Sequence, residues 1–223
     1  MKNNKKHLHS FKFRLNWFFT HTLTFPFRWI RNYFFCLKYP FWRSRNVWTD
    51  KPSGYSYTRY EEIPDGWRKA FGKQLSKDLK KALIKDGYLK EFRFSQIKEK
   101  WGELCLYNFG TGKESGKVIE KYELMSRGYC FICGKPARYV TDGWVSYLCE
   151  DCFNREILSR IDEKNVEGVK KQCRLSVKDM PKITIYEDGQ GTKLDVYKEY
   201  GLDFYKLWDI PRKAKNNGKS TKE

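Results

Sequence analysis

Between Gly66 and Lys85, apolar side chains return every fourth residue: Trp67, Phe71, Leu75, Leu79 and Leu83, with Ala70 and Ala82 widening the stripe. That period is helical. Asp65 after Pro64 supplies a cap and Gly87 a stop, so the pattern predicts a helix over 66–85. The period then changes. Phe92 alternates with Phe94, and Leu104 with Leu106, which predicts short strands on 92–97 and 101–107. A Gly- and Lys-containing loop over 109–116 and a short helix over 117–126 complete this block. The loop lacks the Gly-x₄-Gly-Lys-Ser/Thr pattern, which excludes a P-loop. Upstream, Arg43-Ser-Arg45 and Lys51-Pro-Ser-Gly54 give 43–60 the look of a linker.

Downstream, Arg138–Thr141 and Trp144–Leu148 flank Asp142-Gly143, a hairpin signal. Phe153, Ile157, Leu158 and Ile161 are spaced for a helix. A second hairpin is expected where Ile183–Tyr186 and Leu194–Tyr197 surround Glu187-Asp-Gly-Gln-Gly191. The aromatic segment Tyr200–Ile210 is expected to pack back on the core, and the polar, basic residues 212–223 to be disordered.

Near the N-terminus, a helix begun at Pro26 sorts its residues by side. Phe27, Trp29, Ile30, Tyr33, Phe34 and Leu37 fall on one side, and Arg28, Arg31, Asn32 and Lys38 on the other, with Phe35 the exception. Such a helix over about 26–38 suits packing on the domain or on a second copy, an anionic membrane surface, or nucleic acid. The longest uncharged stretch, Leu15–Phe27, is thirteen residues, short of the roughly 20 a membrane span needs. No small-residue cleavage site follows an apolar run, so no secretory signal is expected.

Seven cysteines change the picture more than any apolar pattern. Cys130-Phe-Ile-Cys133 and Cys149-Glu-Asp-Cys152 are two close pairs separated by fifteen residues. Four thiolates in this spacing suit a closed tetrahedral Zn²⁺ site. A rubredoxin-like iron centre takes the same ligands, and disulfides or core thiols remain as other uses. A closed site has no open position for water, so the metal is expected to hold structure. Knuckle, hairpin, then a helix whose first turn carries Cys149 and Cys152 suggests a zinc-ribbon or treble-clef-like module. Cys36, Cys105 and Cys173 are isolated and expected to be inert. The odd total fits a reducing compartment, and a cytoplasmic location in a host cell is expected, with membrane association left open.

The chain's +18 charge sits at its ends. Residues 1–49 hold ten Lys or Arg and no acid, and residues 211–223 hold five against one Glu. The folded middle is close to balanced, which weighs against nucleic-acid binding as its sole task. All three histidines, His7, His9 and His21, lie in the N-terminal arm. No Ser/His/Asp or Cys/His set can be assembled near the cysteines, and no His-x-Glu precedes them as zinc deaminases require. Catalysis is therefore not expected. Glu99 and Glu103 read as a solvated or salt-bridged face, and Lys98, Lys100 and Lys135 are candidates for binding an anion.

Several short motifs fall together between residues 60 and 153. They are Pro64-Asp-Gly-Trp-Arg-Lys-Ala-Phe-Gly72, Gln96-Ile-Lys-Glu-Lys-Trp-Gly-Glu-Leu104, Tyr107, Lys121-Tyr122, Ser126, Cys130-x₂-Cys133-Gly-Lys-Pro-Ala137, Gly143-Trp144 and Cys149-x₂-Cys152. This combination resembles an uncharacterised family of small proteins found in phages and their bacterial hosts. The resemblance implies a phage-type origin and a metal-binding domain, and it brings no reaction with it. Cys105 stands where members commonly carry Arg.

The resulting expectation is an α+β chain in five parts. A basic aromatic arm (1–49) precedes an α+β domain (60–127) and a four-cysteine zinc module (128–164). A hairpin and packing segment (165–210) and a basic tail (211–223) follow. The expected function is binding: an adaptor for a host or viral protein, modulating a host process or defence, with capture of a nucleotide signal as one version. A nucleic-acid-binding zinc ribbon and a peripheral membrane protein are the alternatives, and the arm is a candidate for homo-oligomerisation.

Overall fold

The computed structural model describes residues 24–46, 48–180 and 200–211. Residues 1–23, the expected hairpin over 183–197 and the tail 212–223 lie outside them. The chain is mixed α and β, with two small antiparallel sheets. It divides into two compact units with interleaved segments: Met1–Pro64, Phe71–Lys98 and Cys105–Glu120 in the first, and Asp65–Ala70, Glu99–Leu104 and Lys121–Glu223 in the second.

In the first unit, α1 (Thr24–Lys38) buries Asn32 and Cys36. Phe35, the residue that broke the expected amphipathic pattern, tilts against Tyr60 with centroids 4.9 Å apart. Asn32 donates from Nδ2 to the Tyr55 carbonyl at 3.0 Å. A 3₁₀ turn, Pro40–Trp42, then drives Phe41 and Trp42 into the core. Trp42 stacks on Phe94 at 4.7 Å, and its indole N–H donates to Ser76 Oγ at 2.9 Å. Burying a Trp is favourable only when its N–H finds such a partner. The described residues of the stretch 43–60, expected as linker, form a bridged loop that runs into a 3₁₀ turn, Arg59–Glu62. Antiparallel bridges Arg43↔Thr58 and Arg45↔Pro52 close it, and the Arg43 guanidinium lies 4.5 Å from the Tyr55 ring centroid. Backbone bridges and cation–π contacts leave no periodicity to read, so this order was invisible to spacing.

The helix expected over 66–85 is present as continuous helical backbone. A turn Asp65–Trp67 leads through a π turn Arg68–Gly72 into α2 (Lys73–Asp86). The expected stripe is buried: Trp67, Phe71, Leu75, Leu79, Ala82 and Leu83. Gly87 ends α2 in the left-handed region. Strands β1 (Arg93–Lys100) and β2 (Glu103–Phe109) pair as a hairpin.

Helix α3 (Lys113–Ser126) starts four residues before the expected 117. Its cap is remote in sequence. Asp86 accepts the Glu114 N–H at 3.1 Å, the Ser115 N–H at 2.7 Å and the Ser115 hydroxyl at 2.6 Å. Burial alone raises the Asp86 pKa. The bonds from Ser115 and Glu114 and the charge of Lys85 outweigh it and hold the carboxyl below its ordinary range. A depressed carboxyl contributes stability that is present above about pH 4 and lost as pH falls. We therefore expect Asp86→Ala to cost about 1 kcal/mol at neutral pH. The gap to wild type should shrink in acid. Urea unfolding at several pH values checks this, and a gap that widens on acidification would refute it.

The second unit holds β3 (Tyr139–Val140) and β4 (Tyr147–Leu148), antiparallel with Tyr139 opposite Leu148 and Val140 opposite Tyr147. The expected Asp142-Gly143 hairpin is there, but its loop is longer and Trp144 lies in the loop rather than in a strand. Helix α4 (Glu150–Glu156) follows, then α5 (Val166–Cys173) and α6 (Phe204–Trp208). The helical spacing that ran on to Ile161 breaks earlier, in a 3₁₀ turn Leu158–Arg160. Tyr200, Leu202, Phe204 and Trp208 pack back as expected, against Leu124, Ala137, Tyr147 and Leu175. Among the described residues, no helix is long and apolar enough to cross a membrane.

Candidate metal centre

The first cysteine pair sits on a tight knuckle. The Cys130 N–H donates to the Lys135 carbonyl at 2.8 Å, and the Gly134 N–H returns to the Cys130 carbonyl at 2.9 Å. Gly134 takes φ +84°, a conformation glycine adopts without steric cost. The second pair begins α4, with Cys149 as its N-cap and Cys152 in its first turn. Beneath them, Tyr139 and Phe153 stack at 4.2 Å and 7°.

This framework brings all four sulfur atoms within 4.8 Å of one another, and Cys133 and Cys149 approach to 3.4 Å. Tetrahedral zinc with bonds of about 2.3 Å places its sulfurs roughly 3.8 Å apart, inside that range. All seven cysteines are free, so the disulfide use is set aside among them. The four residues fit a metal ion. Burial and the neighbouring sulfurs push the Cys149 and Cys152 thiols up, so without a cation these two resist ionisation. Burial also opposes ionisation of Cys133, but the Lys135 backbone N–H and the other three cysteines bring its pKa below the ordinary value. A divalent cation would reverse the cost for Cys149 and Cys152. Arg155 Nη2, 3.5 Å from Cys152 Sγ, offsets part of the remaining negative charge.

The knuckle is held from outside by residues far earlier in the chain. The Gly66 N–H donates to the Phe131 carbonyl at 2.9 Å. Fully buried Trp67 donates from its indole to the Tyr129 carbonyl at 3.1 Å. Gly66 and Gly134 meet almost backbone to backbone, since a Cβ on Gly134 would lie 2.5 Å from the Gly66 carbonyl oxygen. Spacing alone marks Asp65-Gly66-Trp67 only as a helix start. Its place in the metal centre had no local signal beyond its membership in the motif set.

A second feature lies at the hairpin tips of this unit. Trp101 and Gly102 form the two-residue turn between β1 and β2, with φ of +54° and +77°. Two positive φ values define a type I′ turn, where Asn, Asp or Gly is the usual first residue. Trp101 is 69% exposed there, and Trp144, in the β3–β4 loop, is 78% exposed. With Glu99, Lys100 and Val145 they line a cleft of about 210 Å³. The alternation predicts Trp101 at the start of a strand, but it lies in the turn. The Trp-Gly pair between two alternating runs was the missed turn signal.

The other candidates have local explanations. Lys135 is engaged by Asp151 at 2.5 Å, which raises its pKa, with smaller help from Cys149 and Cys133. Lys98 lies over the Tyr107 ring at 5.2 Å, and Lys100 borders the Trp cleft. Glu99 braces the turn by accepting the Gly102 N–H at 2.7 Å, and Glu103 pairs with Arg127. Cys36 lies in the core, where burial pushes its thiol up to about 11, and burial raises Cys173 as well. Of the expected arm surface, Phe27, Trp29, Ile30, Phe34 and Leu37 are exposed, while Tyr33 stacks on Trp29 at 5.7 Å. Arg28 and Arg31 both reach Glu61, at 3.0 and 3.6 Å. The described residues contain no histidine.

Comparison of the chain with family models, with curated proteins and with solved structures finds no match in any of the three.

Proposed function

We propose that this chain is a phage-type, zinc-stabilised binding protein. In this reading Cys130, Cys133, Cys149 and Cys152 hold structural Zn²⁺ in a zinc-ribbon or treble-clef-like module. The module presents a surface to a host or viral protein, and the consequence is modulation of a host process or defence. The supporting observation is the Trp101–Trp144 cleft. A bulky residue in the left-handed region costs about 1–2 kcal/mol. That cost goes into displaying an indole to solvent, and strain of this kind gathers at functional sites. The volume of the cleft, about 210 Å³, is below the roughly 300–1,000 Å³ of small-molecule sites. A single apolar or aromatic side chain of a partner protein suits it better than a whole nucleotide. Exposed Trp is also the residue type most enriched among interface hot spots.

The test is co-purification of tagged full-length protein from infected cells after nuclease treatment. Wild type is compared with Trp144→Ala and Trp101→Gly. We expect one retained protein, weakened by roughly 30-fold in Trp144→Ala. Trp101→Gly should lose it as well while gaining about 1 kcal/mol of stability from the relieved turn. Undiminished retention by both variants would remove the cleft from the interface. Loss of all retained material on nuclease treatment would favour nucleic acid instead.

A further inference from the structure

Helix α1 is apolar on two sides, and among the described residues only one of them is covered. Asn32, Phe35 and Cys36 pin it to the first unit. On the opposite side, Phe27, Phe34, Leu37 and Ile30 are 76%, 64%, 60% and 49% exposed. At about 100° per residue these four occupy one arc of roughly 80°. Trp29 and Tyr33 continue it along one edge. Arg31 and Lys38 form the other edge, next to Phe27 and Phe34. Lys80 joins that basic rim by donating to the Lys38 carbonyl at 2.8 Å. Glu61 is paired with Arg28 and Arg31.

We propose that this face of α1 lies on an anionic lipid bilayer, with Phe27, Ile30, Phe34 and Leu37 in the acyl boundary and Arg31, Lys38 and Lys80 at the phosphates. The charge pattern selects this occupant. Nucleic acid would satisfy the cations and leave four large apolar side chains in water. A two-fold contact with a second copy would set the same cationic rim against itself. An anionic bilayer takes both halves of the surface, as basic amphipathic helices do. The chain leading into α1 has the same chemistry: residues 1–23 carry five Lys or Arg and no acid among Phe, Trp and Leu. At fifteen residues, α1 suits an interfacial rather than a spanning position.

The test is co-sedimentation of the nuclease-treated, full-length protein with phosphatidylcholine vesicles made with and without phosphatidylserine, at physiological salt. We expect binding that requires phosphatidylserine. It should fall at least about tenfold in Phe34→Asp/Leu37→Asp and in Arg31→Glu/Lys38→Glu. Both pairs are exposed, so circular dichroism should match wild type, and Phe34→Leu should keep most of the wild-type binding. Undiminished binding by the Phe34→Asp/Leu37→Asp variant would overturn the proposal and leave the arm before α1 as the contact. Equal binding to both vesicle types, or dimerisation in sedimentation velocity without vesicle binding, would overturn it as well.

Discussion

Cys149→Ser is expected to abolish stoichiometric zinc and to unfold the region around residues 128–160. Cys149 belongs to both parts of the centre: its sulfur completes the cluster, and its backbone caps α4. The secondary structure that would survive by itself is small. Strands β3 and β4 are two residues each and α4 is seven, and isolated elements of this length are marginal in water. A structural zinc in a comparable site is worth about 10–16 kcal/mol. Whole domains are stable by about 5–15 kcal/mol, so an ion bound here would decide whether this region folds. The measurements are metal content by mass spectrometry and limited proteolysis of wild type, chelated wild type and the variant. Chelation should give the same new cleavage sites as the substitution, within 128–160, and added zinc should reverse it in wild type alone. A metal-free protein with an unchanged proteolytic pattern would show that Tyr139, Leu148 and Phe153 suffice as a core. Iron in place of zinc would correct the cofactor and leave the folding argument standing.

What was legible in the sequence follows from the range of each interaction. The stripe on Trp67 to Leu83 repeats every four residues, and it is buried as a stripe must be. The cysteine pairs were legible because ligand spacing within each pair is local, and only the fifteen-residue gap had to close through the fold. Contacts over longer separations left no trace. Asp86 caps α3 from 28 residues away, so the helix began earlier than its own residues indicated. The loop between Arg43 and Thr58 is held by a guanidinium on a ring and by isolated bridges among its described residues, none of which has a period. The N-terminal helix shows the same limit differently. Its apolar side was visible, but a helical wheel cannot say which of two apolar arcs meets the core. Phe35, read as the exception, is on the packed side, and Phe27, Phe34 and Leu37 are on the open one.

Gly66→Ala should weaken metal binding although residue 66 is no ligand. A Cβ at this position would overlap the Cys130 carbonyl oxygen and come within 2.5 Å of the Phe131 carbonyl carbon and oxygen. Those obstacles are backbone, so no rotamer change relieves them. They belong to the knuckle whose Cys130 and Cys133 would hold the ion, so the methyl must push the first pair away from the second or lift the Asp65–Trp67 turn off it. Lifting the turn also breaks the Gly66 and Trp67 hydrogen bonds to Phe131 and Tyr129. Overpacking a tight site costs about 1–3 kcal/mol, and backbone against backbone belongs at or above the top of that range. Loss of outer support typically weakens a metal site about 10–100-fold. Gly116→Ala is the control: its Cβ meets nothing within 4 Å inside α3, and it should raise stability by roughly 0.5–1 kcal/mol. Competition with a chromophoric zinc chelator and thermal unfolding of both variants give the comparison. If Gly66→Ala matches wild type in both, the turn does not brace the knuckle, and the conjunction of Asp65-Gly66-Trp67 with the cysteines in one motif set has another cause.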